Sequence, residues 1–304
     1  MAIDFKYIIK VRLPGGFLFK RLIMAIKYFF SNPSSYQARI YLKLYILEYL
    51  FTILAINNNY GFKNINKLLK QYNEKDFYNF NGIKIAKSVI KRSPIDFLGE
   101  YNSLIAPYLN PDLPDIDEGT YEQFGVEVNK GDVVFDAGSN VGLFTAFAIK
   151  KSVKEIHAFE PVNSTYNELL KTAELNDNAD TKLYINKLGL SNKNEQIKIG
   201  YAVNPAANSI LLNANHGFEM IDCVTLDDYV RTNNIQKVDF IKADIEGAER
   251  LMLEGARETM RKFKPKLAIC TYHFPDDKDV LTEIIIKANP DYVIEYSSHK
   301  LFAK

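Results

Sequence analysis

Asp136, Gly138, Asn140 and Gly142 stand at alternate positions in the stretch Val133-Val134-Phe135-Asp136-Ala137-Gly138-Ser139-Asn140-Val141-Gly142-Leu143-Phe144. A short apolar run ends in an acid, a glycine-spaced turn follows, and apolar periodicity resumes at once. That pattern reads as a buried parallel strand, a tight turn and a helix packed back on the sheet. One glycine lets the chain reverse without a Cβ penalty, and the other lets helix, strand or ligand backbone approach closely. Free amides at the start of the next helix favour a polar or anionic ligand group. Glu160, 24 residues after Asp136, ends the apolar stretch Ile156-His157-Ala158-Phe159. In doubly wound nucleotide-binding sheets an acid at such a strand end accepts hydrogen bonds from ribose hydroxyls. Turn and acid together point to a nucleoside-type ligand.

The turn lacks the full G-x-G-x-x-G that cradles a dinucleotide pyrophosphate. That omission favours a ligand without pyrophosphate, such as S-adenosylmethionine (SAM). A second constellation is Asp244, Glu246 and Glu249. Asp244 should end a buried strand, while Glu246 and Glu249, three apart at a helix start, share a face. The helix dipole alone could account for an acid there. His273, at the end of the apolar run Lys266 to Tyr272, has an ordinary pKa suited to general-base work. A purely substrate-binding or loop-capping role for His273 stays open. No convincing ligand spacing calls for a metal.

Asp136-Ala-Gly138-Ser-Asn140-Val-Gly142 resembles motif I of class I SAM-dependent methyltransferases. Lys242-Ala-Asp244-Ile-Glu246-Gly247-Ala-Glu249 resembles the hallmark of the FkbM family within them, and is the more specific of the two. Glu118-Gly119-Thr120-Tyr121-Glu122 and Tyr272-His273-Phe274-Pro275-Asp276-Asp277 also look like family positions. The resemblance covers about Asp117 to Lys304. It implies that Asp136, Gly138, Asn140 and Gly142 surround the methionine part of SAM, that Glu160 holds its ribose, and that Gly189 and Leu190 flank its adenine. It adds Tyr121 to the cofactor-binding set. Asp136 could instead only fix the turn. The implied activity is methylation of a hydroxyl on a sugar, glycolipid or related natural-product acceptor, with His273, Asp244 and Glu246 as the catalytic candidates. Two other readings compete. One is a nicotinamide-dependent sugar oxidoreductase, against which the missing G-x-G-x-x-G argues; the other is a non-catalytic SAM-binding or membrane scaffold.

The elements that must position these residues follow from periodicity. From Val126 onward strands alternate with helices, as in βαβ units. The expected fold is a doubly wound α/β sheet; the resemblance gives it seven strands, the last antiparallel. Gln196–Tyr201 reads as an inserted strand paired with Glu219–Val224, Thr225 as the cap of Leu226–Arg231, and Ala248–Arg261 as one helix. Residues 1–115 form a mainly helical extension, with helices over 17–30, 36–56, 62–72 and 97–109, a strand pair over 79–87 and a proline-rich loop before the catalytic domain at 116–304.

Composition bounds the rest. At 304 residues, 47% hydrophobic and 25% charged, the chain can bury a sizeable core. Its net charge of +1 offers no general case for nucleic acid. Cys223 and Cys270 lack metal-ligand spacing and read as buried free thiols of a reducing, cytoplasmic compartment. Residues 1–30 carry Lys6, Lys10, Arg12, Lys20, Arg21 and Lys27 among many aromatics, against the single acid Asp4. That mixture suits peripheral contact of residues 1–56 with an anionic inner-membrane face, as opposed to a signal peptide. Arg39, Lys43 and Glu48 interrupt the most apolar helix, which argues against a span.

Overall fold

A computed structural model describes residues 69–92, 120–200 and 218–304, with isolated positions at 26, 27, 29, 30, 42, 46 and 105. The helices expected over 17–30, 36–56 and 97–109 and the proline-rich loop lie outside the described residues, apart from those isolated positions. No helix among the described residues is long and apolar enough to cross a membrane. The chain divides into two compact units, one comprising residues 1–81 and 86–117, the other residues 82–85 and 118–304. In the first, a short 3-10 helix (Leu69–Tyr72) precedes β1 (Phe77–Phe80). Asn81 and Gly82, both at positive φ, separate it from β2 (Ile83–Ala86), and α1 (Lys87–Arg92) follows. Two strands thus flank the Asn81-Gly82 turn, where the sequence led us to expect a pair.

The second unit is built on β3 (Val133–Ala137), whose five residues are all buried. A near-continuous apolar run is what a parallel strand covered on both faces requires. After it come α2 (Leu143–Lys150), β4 (Glu155–Phe159), α3 (Asn163–Asn176), β5 (Lys182–Asn186), β6 (Gly189–Leu190), β7 (Glu195–Gly200) and β8 (Phe218–Val224). The chain continues through α4 (Leu226–Thr232), β9 (Phe240–Ala243), α5 (Glu249–Glu254), α6 (Arg257–Phe263), β10 (Lys266–Cys270), α7 (Asp277–Ala288), β11 (Ile294–Tyr296) and β12 (Lys300–Ala303). The main sheet has seven strands in the order β11-β12-β10-β9-β3-β4-β5. β3 pairs in parallel with both β4 and β9, whereas β12 runs antiparallel to β10 and β11. This is the expected doubly wound α/β sheet with its last strand antiparallel. Strand order reverses at the β3–β9 boundary, the place where such sheets bind ligands.

β7 and β8 form the inserted pair, in the register Ile197↔Ile221, and β6 joins them in a separate three-stranded sheet. Thr225 caps α4 by accepting the Asp228 N–H at 3.0 Å. His157, 2% exposed, stacks against Phe135 and Tyr184. Burial lowers its pKa to about 4, Glu155 notwithstanding, so it is a neutral core residue, as expected of a histidine inside a strand. Cys223 and Cys270 are buried and free.

One expectation fails. The single helix over Ala248–Arg261 is broken into α5 and α6 at Gly255-Ala256. A Cβ at Gly255 would lie 2.2 Å from the Ser191 backbone oxygen, so that loop enters where a continuous helix would carry side chains. The Asp227 carboxylate then caps the new helix start, accepting the Glu258 and Thr259 amides at 2.9 and 2.8 Å. We expect Gly255→Ala to cost about 1–3 kcal/mol, the usual range for overpacking. Gly131→Ala, where nothing lies within 4 Å of an added Cβ, should cost only the positive-φ penalty of about 1 kcal/mol. Urea denaturation of both variants measures the difference, and equal losses would mean that Ser191 simply moves aside.

Candidate active site

The geometry of the candidate site begins at β3. Gly138 and Gly142 have φ of 71° and 89°. A Cβ on Gly138 would fall 1.9 Å from the Asp244 backbone oxygen, so the turn after β3 is pressed against the end of β9. Gly142 is the N-cap of α2 and supplies no side-chain cap, which leaves the first amides of that helix to a ligand or solvent. The Gly138 and Ser139 amides donate to the Phe159 carbonyl, and the Ser139 hydroxyl donates to the Asp136 carbonyl while accepting the Phe159 N–H. Ser139 therefore ties the turn to the neighbouring strand β4.

Asp136 is fully buried. Its carboxylate accepts the Thr145 hydroxyl at 2.7 Å and lies 3.2 Å from the Lys242 ammonium. Of the two roles open to it, these contacts serve the fixing of the turn. Glu160, at the end of β4, accepts the Asn140 N–H at 3.1 Å and the Val162 N–H at 2.9 Å. These two amides orient the carboxylate. Gly189 and Leu190 are placed otherwise than expected. Both are buried in β6; Leu190 packs into the main core, and a Cβ on Gly189 would meet the Cys223 sulfur at 2.6 Å. Packing against β8 explains this pair, and neither presents an open face to an adenine.

The second constellation gathers at the ends of β9 and β10. Asp244 accepts hydroxyl protons from Tyr121 at 2.8 Å and Tyr272 at 2.9 Å. Tyr121 is therefore brought to the acid cluster, with the Lys242 and Lys300 ammonium groups over its ring. Burial pushes the Asp244 carboxyl up, but Lys242, the Tyr121 hydroxyl, His273 and Lys300 together outweigh it and hold it below its ordinary value. Glu249, 1% exposed, accepts the Ile245 and Gly247 amides at 2.8 and 3.1 Å. Glu246 has a left-handed backbone with φ 54°. Burial raises its carboxyl, and Asp244 and Glu249 add to the rise that His273 opposes.

His273 lies between two of these acids, Nε2 being 3.4 Å from Glu246 Oε2 and Nδ1 3.3 Å from Glu249 Oε1. These are ion-pair distances, longer than strong hydrogen bonds. Burial alone would lower the imidazole pKa, but Glu246, Glu249 and Asp244 reverse that and raise it to about 10. His273 is thus an imidazolium at neutral pH, not the open base its ordinary pKa suggested. Asp244, Glu249 and His273 bring potential ligand atoms within 4.8 Å of one another. The set does not suit a cation as it stands. Both Asp244 oxygens take phenol hydroxyls, both Glu249 oxygens take amides, and Lys242 adds positive charge nearby.

Several residues here were not singled out from the sequence. Lys242, 4% exposed, donates to the Ala137 and Gly138 carbonyls at 3.2 and 2.5 Å besides facing Asp136. It stands inside the quoted hallmark, yet its partners lie over 100 residues upstream. Thr145, Ser139, Lys300 and Tyr272 carried no spacing signal of their own.

The sheet order and the glycine turn beside an acid cluster define a class I methyltransferase fold. A family model for the FkbM methyltransferase domain matches residues 136–296, more than half of the chain, and the protein belongs to that family. The family's domain is described as that of a methyltransferase. Among curated relatives, the hexuronic acid methyltransferase AglP of Haloferax volcanii is 26% identical over 53% of this chain. The 31-O-demethyl-FK506 methyltransferase FkbM of Streptomyces tacrolimicus is 26% identical over 45%. The matches span 64% of each relative's length. The crystal structure of methyltransferase FkbM from Methylobacillus flagellatus has a TM-score of 0.48 at 22% identity, covering 71% of this chain and 60% of that one.

The residues at the β3 and β4 ends fit the cofactor. Uncapped amides at the start of α2 suit the carboxylate of an amino acid, and the oriented Glu160 carboxylate suits a diol. SAM, when bound, would supply a methyl group carried on a positively charged sulfur. The glycine turn would admit it, and the buried Asp136–Lys242 clamp holds that turn in place.

The charged state of His273 has a measurable consequence. Its pKa rises from an ordinary 6.5 to about 10 on folding, so its contribution to stability is complete below pH 6.5 and is lost as the pH rises through 10. Unfolding free energy should therefore fall across that window more steeply in the native protein than in His273→Asn. Parallel urea titrations at a series of pH values provide the check. Identical pH slopes would show that the cluster does not hold an imidazolium.

Proposed function

We propose that the protein transfers the methyl group of SAM to a hydroxyl oxygen of a sugar, glycolipid or related small-molecule acceptor. The observation that carries this is the contact between the β3 turn and the β9 end. Gly138 abuts the Asp244 carbonyl, so the β3 turn and the Asp244, Glu246, Glu249 and His273 cluster lie side by side, which supports this reading. Transfer to a hydroxyl requires an aligned acceptor and a group that takes the hydroxyl proton as the new bond forms. An acid–imidazole cluster beside the turn meets the second need. The relatives' names support the acceptor class: one names a sugar acid, the other an oxygen awaiting its methyl.

In this reading Glu160 holds the ribose hydroxyls, Gly138, Asn140 and Gly142 line the methionine end, and Asp136 acts through the turn. Glu160→Ala should weaken SAM binding by about 1–3 kcal/mol, as loss of a charged acceptor does. Calorimetry with SAM, and with NAD as control, reads this directly. Undiminished SAM affinity in the folded variant would remove Glu160 from the site, and tighter binding of NAD than of SAM would revive the oxidoreductase.

The basic, aromatic segment 1–30 lies outside the described residues except at four positions. It suits docking on an anionic membrane, where a lipid-linked acceptor would be met. Each Lys or Arg near such a surface is worth about 1 kcal/mol and is screened within a Debye length. Flotation with phosphatidylglycerol vesicles should show binding at low salt that falls as salt rises and is lost on deleting residues 1–30. Full-length protein that ignores such vesicles at low salt would make the segment a packing arm instead.

A further inference from the structure

Three carboxylates surround His273, and their environments assign them different work. Asp244 is engaged by two phenol hydroxyls and held in its charged form by the surrounding cations. Glu249 is almost wholly buried and grips two backbone amides on the loop that carries Glu246. Both are occupied with holding structure. Glu246 differs in two respects. Its side chain is 29% exposed, against 2% for Glu249 and 10% for His273, so it is the most open member of that trio. Its backbone is left-handed, at φ 54°, and Gly247 follows at φ 96°.

A glutamate in that conformation is uncommon, and such residues persist where the surroundings enforce them, often at functional sites. Here Glu249 enforces it by fixing the amides on either side of Glu246. The turn begins one residue after Asp244, whose carbonyl abuts Gly138, so Glu246 is carried at the methionine end of the cofactor site.

We propose that Glu246 takes the proton of the acceptor hydroxyl, and that His273 is a positioning residue that holds Glu246 and balances its charge. The inference rests on the hydroxyl-acceptor reading above. In the step, the acceptor O–H bond breaks and its proton passes to the Glu246 carboxylate. The freed electron pair forms the new O–C bond, and the C–S pair returns to sulfur. One negative charge on Glu246 and one positive charge on sulfur are cancelled together. Among the groups facing Glu246 are His273, just beyond the end of β10, and Asp244 and Glu249 from its own segment. Burial and the two acids raise the Glu246 carboxyl, which makes it a stronger base than a solvated glutamate. His273, already protonated, has no site for the proton until the pH approaches 10.

The test uses the full-length protein, tritium-labelled SAM and a polar glycolipid extract from cells lacking the enzyme, with SAM affinity measured by calorimetry on the same preparations. Glu246→Gln should bind SAM within about twofold of the native protein yet transfer methyl more than about 100-fold more slowly, the lower end of a general base's contribution. His273→Asn should retain partial transfer. The native rate should rise with pH through a carboxyl limb displaced above the ordinary glutamate value and then level off. A rate that instead climbs towards pH 10 makes His273 the base and overturns the assignment, as does near-native transfer by Glu246→Gln. Absence of label with the native protein, despite tight SAM binding, removes the hydroxyl-acceptor reading and the base role with it.

Discussion

The buried ammonium of Lys242 is the constraint on which the rest of the site depends. It faces the Asp136 carboxylate and donates to the Ala137 and Gly138 carbonyls, so one side chain of β9 grips both the acid and the turn that end β3. Both ionic partners are nearly or fully buried, at 4% and 0% exposure. Such a pair adds little net stability over an apolar one, but losing one member strands the other charge at a cost of about 3–5 kcal/mol. The pair therefore acts less as a source of stability than as a lock. With Thr145 holding the other Asp136 oxygen, the turn has little freedom to relax. A cofactor turn fixed in advance pays less ordering entropy when ligand arrives.

The same lysine connects the two halves of the cleft. It lies over the Tyr121 ring and helps keep Asp244 charged, while Tyr121 and Tyr272 hold the Asp244 carboxylate from two sides. The cluster is then a set of alternating charges: lysines, Asp244, imidazolium, and the glutamates beyond it. Each charge has an opposite neighbour, which is how ionised groups survive in a place with little solvent. His273 illustrates the consequence. Desolvation is the largest influence on it and acts downward, yet three nearby carboxylates prevail. Which effect wins depends on the company the residue keeps.

That distinction marks the limit of what the sequence could show. The seven-stranded sheet was legible because buried parallel strands leave continuous apolar runs, and the inserted β7–β8 pair because its segments lack a helical period. That Asp136, Glu160, Asp244 and His273 stand at or just beyond strand ends followed from the apolar runs before them. The state of His273 did not, since its partners Glu246 and Glu249 are set by a left-handed turn that a glutamate rarely enters. Leu190 was misplaced because resemblance puts a residue near a ligand without saying which way its side chain faces. The break at Gly255 depends on Ser191, 64 residues away, and Tyr121 reaches Asp244 across 123. Contacts of that range leave no local periodicity to read.

The two turns that form the cleft solve one problem in the same way. Each puts a non-glycine residue at positive φ, Asn140 after β3 and Glu246 after β9, beside glycines that are also left-handed. Such backbone costs about 1–3 kcal/mol per residue unless something holds it. In each case a buried glutamate accepts backbone amides, one of them at the β3 turn and two at the β9 turn. Glu160 takes those of Asn140 and Val162, and Glu249 takes those of Ile245 and Gly247. Charge-assisted bonds to amides are among the stronger hydrogen bonds and help offset the strain. Glu160 braces the β3 turn from the end of β4, and Glu249 braces the β9 turn from the start of α5. What differs is the use left over. Glu160 lies beside the β3 turn, whereas Glu249 also faces His273 and is less open than Glu246.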